Sequence, residues 1–221
     1  MEEKNKHLEN IKEIRSIMER SSQFISLSGL SGVFVGITAL FGALSIFLFK
    51  LKHFSGRYYN DKVYSGELHL KGVELSEFIL FIIVSGFIML ILSLYFAYFF
   101  TNRNAKRKGL PVWSSSARRM IINLSIPLIT GGLFCFVLIY HNLIYLIVPA
   151  TLIFYGLALI NASKYTLRDI RYLGLIEILL GLIASVWIGY GLIFWAIGFG
   201  VLHIIYGLTM YWKYERIADR A

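Results

Sequence analysis

Two side chains interrupt long apolar runs: Glu177 and His203. An acid and an imidazole within reach of each other can share a proton or form an ion pair. An ionisable group inside an apolar span is by default a candidate for function. Ser31, in Gly29-Leu30-Ser31-Gly32, is a third candidate, because a serine with a base beside it can act as a nucleophile. Each also has a structural reading: a buried hydrogen bond for the pair, and close helix packing for the serine.

The elements that must position them are membrane spans. Of 221 residues 57% are hydrophobic and 16% charged, whereas soluble domains carry about a quarter charged residues. Residues 24–49, 78–102, 120–163 and 178–212 contain no Asp, Glu, Lys or Arg. A span takes about 20 apolar residues, so the first two runs hold one span each and the last two hold two each. Tyr140-His141-Asn142 and Gly189-Tyr190-Gly191 divide the long runs, since Asn and Gly tolerate left-handed backbone angles. The expected fold is an all-α six-helix transmembrane bundle over 23–214. Its spans lie near 24–49, 77–101, 117–140, 143–163, 168–188 and 191–213.

Lys and Arg orient it. Seventeen lie in the N-terminus, the loops after spans two and four, and the C-terminus; five lie between Lys50 and Lys71. The positive-inside bias then places both termini in the cytoplasm. Mixed charge over 1–23 and no small-residue cleavage site after the first run imply that this run is retained. Cys135 stands alone in mid-span, which leaves no disulfide or Cys-based metal framework. The net charge of +9 belongs to juxtamembrane segments, where anionic headgroups rather than nucleic acid are the counter-charge. Arg103, Lys106, Arg107, Lys108, Arg118 and Arg119, in a loop without acids, read either as a site for anionic lipid or an acidic partner, or as a topology determinant. Ser114–Ser116 offer a cap for the third helix.

Residues 1–22 read as a cytoplasmic amphipathic helix. Leu8, Ile11, Ile14 and Ile17 or Met18 make one apolar stripe, and five acids balance five bases over 1–20. A stripe with no net charge suits the bundle, a sister subunit or another protein better than anionic lipid. The extracytoplasmic loop 51–76 alternates polar and apolar residues around Gly72, as a short β-hairpin would. His53, Asp61, Glu67, His69 and Glu74 in it lack a fixed metal-ligand spacing, so no metal is assigned.

Depth brings Glu177 and His203 together. Each lies about 13 residues from the turn near 190, or roughly 20 Å along its helix. Gly174, Glu177, Gly181 and Ala184 share a face of span five; Ala196, Gly200, His203 and Gly207 share one of span six. Small residues let backbones approach, so these stripes are expected to form the seam of the hairpin with the pair across it. Ser28, Gly32 and Gly36 form a similar ridge on span one. Ile-Phe-Tyr-Gly-Leu at 153–157 matches Ile-Ile-Tyr-Gly-Leu at 204–208, suggesting two like hairpins in spans three to six. Pro127 and Pro149 are expected to kink spans three and four.

Gly29-Leu30-Ser31-Gly32 resembles the G-x-S-G of rhomboid-type intramembrane proteases, and His203-Ile-Ile-Tyr-Gly207 resembles part of their last catalytic span. The serine sits in the first span rather than a middle one, and no His-x-x-x-Asn supplies an oxyanion site. Ser31 is therefore read as packing and no catalytic residue is assigned. The stretch Ile14–Gly32 followed by six spans resembles a group of uncharacterised bacterial integral membrane proteins, which implies a bacterial inner membrane and no activity. Two functions stay open. One is a non-enzymatic protein that binds a partner through residues 8–18, as a sensor or assembly factor, and that could also self-associate. The other is a small transporter or channel with its polar site at Glu177 and His203. Neither needs a cofactor.

Overall fold

A computed structural model of the chain describes residues 24, 27–53, 73–109, 111 and 113–216. Among them every regular element is helical. The helices are α1 (Gly29–His53), α2 (Val73–Arg107), α3 (Ser115–Tyr140), α4 (Ile147–Ala162, after a 3-10 turn at Ile144–Leu146), α5 (Ile170–Val186) and α6 (Gly191–Arg216). Five of them, all but α5, are long and apolar enough to cross a membrane. At 17 residues α5 spans about 26 Å, a little short of a hydrocarbon core of about 30 Å. The expected amphipathic helix over 1–22 and residues 54–72 of the expected loop lie outside the described residues, as do the side chains of His53, Asp61, Glu67, His69 and Glu74. The rest of that loop is helical, with 51–53 ending α1 and Val73-Glu74-Leu75, expected as one arm of the hairpin, opening α2.

The helices form a row more than a closed ring. The strongest pairings are α4 with α5, α3 with α4, α1 with α6, and α1 with α2. Helix α6 joins the α1–α2 half to the α3–α4–α5 half. The turns after α3 and α5 are left-handed where the sequence offers a residue for it, at Asn142 (φ 58°) and Gly189 (φ 102°). Gly191 lies against Val148, so these two turns share one end of the molecule.

The opposite end is a polar clasp around the start of α1. The Phe24 N–H donates to the Tyr165 carbonyl (2.8 Å), and the Thr166 hydroxyl donates to the Phe24 carbonyl (2.8 Å). Asn104 donates to the Leu27 carbonyl, and Glu215 accepts from Ser28 Oγ and the Gly29 N–H. A carboxylate at a helix N-terminus satisfies a donor that has no partner within the helix and opposes the positive end of its dipole. Lys213 Nζ and Tyr214 OH both reach Asp169 Oδ2, at 2.7 and 3.0 Å.

Two further expectations need correction. Helix α2 does not stop near 101 but runs on to Arg107. Nothing in Thr101–Arg107 breaks a helix, its basic end suits the negative end of the dipole, and the chain turns only at Gly109 (φ 63°). Arg103, Lys106 and Arg107 are thus helical residues, and Arg118 and Arg119 lie in the first turns of α3. Pro149 does not interrupt a helix either. It is the third residue of α4, where the backbone N–H has no partner within the helix in any case. Ser114 caps α3, accepting from the Ala117 N–H at 3.1 Å.

Candidate functional site

The side chains of Glu177 on α5 and His203 on α6 are 0% and 4% exposed. His203 Nδ1 lies 3.6 Å from Glu177 Oε1, an ion-pair distance but too long for a hydrogen bond. The imidazole has closer partners. Nδ1 is 2.9 Å from the Gly198 carbonyl and Nε2 is 2.7 Å from the Tyr155 hydroxyl of α4. A carbonyl can only accept, so Nδ1 carries a hydrogen; in the neutral ring Nε2 then accepts from Tyr155. Tyr155, Phe199 and the imidazole stack within 6.0 Å of one another, centre to centre.

The local fold explains this arrangement. In an α-helix a side chain reaches back to carbonyls three or four residues earlier. Residues Ala196–Leu202 wind as a π-helix, and the wider turn lets the His203 ring reach the Gly198 carbonyl, five residues back. Gly198 also makes room for the acid: a Cβ there would lie 2.6 Å from Glu177 Oε2 and 2.6 Å from Leu152 Cδ2. The Glu177 carboxyl is thus pressed against bare backbone, and neither of its oxygens has a hydrogen-bond partner among the described residues. A lone carboxylate charge at such a depth is costly; a proton on it or a positive charge beside it removes the cost.

The small residues meet different neighbours from those expected. The stripes of α5 and α6 do not form a common seam. Gly174 faces Gly156 of α4, and Gly181 faces Pro149, Leu152 and Ile153 of α4. Gly200 and Gly207 face α1, at Leu40 and Gly36 and at Gly29, Gly32 and Val33. Glycine marks where a backbone approaches without naming the helix it belongs to. Glu177 and His203 meet because α6 lies between α1 and the α4–α5 pair, with Gly198 and His203 on its second face.

Ser31 donates its hydroxyl to the Ser28 carbonyl one turn earlier, while the His203 ring is held by Tyr155 and Gly198. Ser28 itself donates to Glu215. Asn123, Thr130 and Thr151 donate to carbonyls of their own helices. Arg103, Lys106, Arg107, Arg118 and Arg119 are exposed, and the two on α3 line an open pocket of about 560 Å³ with Trp113, Ser114, Ser115 and Ile122. Among the described residues no three of His, Cys, Asp and Glu gather as metal ligands would. Comparison of the chain with protein-family models, curated proteins and solved structures gave no match.

Proposed function

We propose that the chain is a non-enzymatic, six-span protein of the bacterial inner membrane that works by binding a partner as a sensor or assembly factor. Its termini face the cytoplasm, and the short α5 completes the count. The clasp carries the reading. Phe24 and Leu27 to Gly29, the described residues that follow segment 1–22, are bonded to the end of α2, to the α4–α5 connection and to the end of α6. Whatever engages the stripe of residues 8–18 therefore pulls on a point tied to most of the bundle. Among the described residues, the clasp gathers at one end the basic stretches at the end of α2, between α4 and α5, and at the end of α6, in keeping with the positive-inside bias. Aromatic residues mark both ends: Tyr140, Trp187 and Tyr190 at one, Trp113, Tyr172 and Trp212 at the other, all exposed. The basic residues of α2 and α3 would meet anionic headgroups there.

Cysteine labelling tests the topology: Lys106 and Asp61 should be modified from opposite sides of the membrane, and labelling from one side removes the six-span reading. A photo-crosslinker at Ile11 tests the partner. One discrete adduct should form with the intact chain and vanish when Leu8 and Ile14 become Ser with insertion unchanged. No adduct, or one indifferent to the stripe, overturns it.

One observation favours a second reading, a small transporter using Glu177 and His203. A fully buried carboxyl with both oxygens unpartnered is a poor structural choice, because an unmet buried polar group destabilises.

A further inference from the structure

The geometry points to a proton as the ligand of the Glu177–His203–Tyr155 cluster, delivered through Tyr206 from the end of the bundle where Asp169 lies. The inference rests on the second reading only in taking Glu177 and His203 as a working site.

His203 is held as a two-sided shuttle. Its Nε2 faces Tyr155 at 2.7 Å, and its Nδ1 faces the Gly198 carbonyl at 2.9 Å and Glu177 Oε1 at 3.6 Å. Uptake balances in one relay. An incoming proton binds the Tyr155 oxygen as Tyr155 gives its own to Nε2, and the ring gives its Nδ1 proton to Glu177. The O–H of Glu177 forms as the Nδ1–H breaks; the ring ends neutral with its hydrogen on Nε2, donating to the Tyr155 oxygen. The bare Nδ1 gives up the Gly198 carbonyl and accepts from the new Glu177 O–H. Within the cluster the last hop needs movement, closing 3.6 Å to hydrogen-bond distance by less than about 1 Å. Delivery needs the Tyr206 hydroxyl, which holds no hydrogen bond among the described residues, to turn toward Tyr155.

The path outward passes the tyrosines that share one core with the cluster. Tyr206 packs with Tyr155 against the same buried core of Leu159, Ile170 and Leu173. Its hydroxyl is buried with no hydrogen-bond partner among the described residues, and the core it packs on includes Ile170, next to Asp169. Tyr214 already donates to Asp169, whose side chain is 29% exposed beside Lys213. These groups, from α4, α5 and α6, are the titratable and charged ones around the cluster; α1 contributes none, being uncharged from Gly29 to Phe49.

The test is infrared difference spectroscopy on the full chain in liposomes, following the carboxylic C=O band as bulk pH is stepped. One such band should titrate, disappear in Glu177→Gln, and move in frequency but persist in Glu177→Asp. Tyr155→Phe should move the midpoint by about one pH unit or more. Tyr206→Phe should leave the midpoint in place and slow hydrogen–deuterium exchange of the band by about 100-fold, the low end for removing a proton-transfer group. A band that ignores bulk pH, or survives unchanged in both Glu177 variants, makes the cluster a static contact and overturns the proposal. Wild-type exchange in Tyr206→Phe overturns the path. A titrating band without any Glu177-dependent solute flux would keep the proton site and remove the transport reading.

Discussion

Two of the settings in which this molecule uses glycine behave as opposites. At the α4–α5 and α1–α6 crossings they touch backbone. A Cβ on Gly174 would lie 2.7 Å from the Gly156 carbonyl, and one on Gly207 would lie 2.6 Å from both the Gly29 carbonyl and the Val33 nitrogen. On α2 and α3, Gly86 and Gly132 have nothing within 4 Å of such an atom. The first kind holds helices together where no hydrophobic force between them is available in lipid. The second kind holds nothing. Between the two tight crossings α6 meets α4 and α5 through side chains, and there the Glu177–His203–Tyr155 cluster sits.

The largest effects should follow from pushing the tight crossings apart. Gly207→Leu and Gly174→Leu should abolish a folded, monodisperse protein in detergent. The Ala variants should lower stability by about 1–3 kcal/mol in thermal or denaturant unfolding, the usual cost of overpacking against atoms that cannot yield. Equal losses from Gly86→Leu would erase the distinction between the two settings.

Next in size is the cluster between the crossings. His203→Ala should cost roughly 1–3 kcal/mol, since it leaves the Tyr155 hydroxyl, the Gly198 carbonyl and Glu177 facing a dry gap. Glu177→Ala should cost less, since the imidazole keeps its bonds to Gly198 and Tyr155. The double variant should cost less than the sum, with a coupling of about 0.5 kcal/mol or more. Additive losses would mean that 3.6 Å is proximity without interaction.

How much of this the sequence revealed depends on the kind of signal. Apolar runs and turn residues are local, so the helices and the left-handed positions at Asn142 and Gly189 could be read directly. The end of α2 could not, because the apolar run marks only the membrane thickness, whereas the helix ends where the backbone meets Gly109. Glu177 and His203 could be brought to one depth by counting from a shared turn. Their third partner could not: a tyrosine in an apolar span reads as filler, and nothing local marks the π-helical winding that aims the His203 ring at Gly198. The assignment of glycine stripes to the wrong partner has the same root, since a small residue encodes closeness and not the identity of the neighbour.

A smaller effect of opposite sign comes from the open glycines. Gly86→Ala and Gly132→Ala add a methyl that meets nothing and restrict the unfolded chain, which should raise stability by about 0.5 kcal/mol. A loss of that size or more would point to an unseen neighbour on that surface, as self-association of the chain would supply.

The smallest effect should come from Ser31, although it lies inside the α1–α6 crossing next to Gly32. Gly32 points at the Gly207 backbone, with a Cβ 3.2 Å from its Cα, so Gly32→Leu should be severe. The Ser31 hydroxyl is committed to the Ser28 carbonyl in its own helix, a bond that adds no contact between helices. Removing it strands nothing, because that carbonyl also accepts the Ser31 N–H at 3.2 Å. Ser31→Ala should therefore change stability by less than about 0.5 kcal/mol and leave the infrared titration of Glu177 untouched. Loss of a biological activity in Ser31→Ala, with the fold and that titration intact, would restore the serine as a nucleophile and show that membership of a packed crossing does not preclude chemistry there.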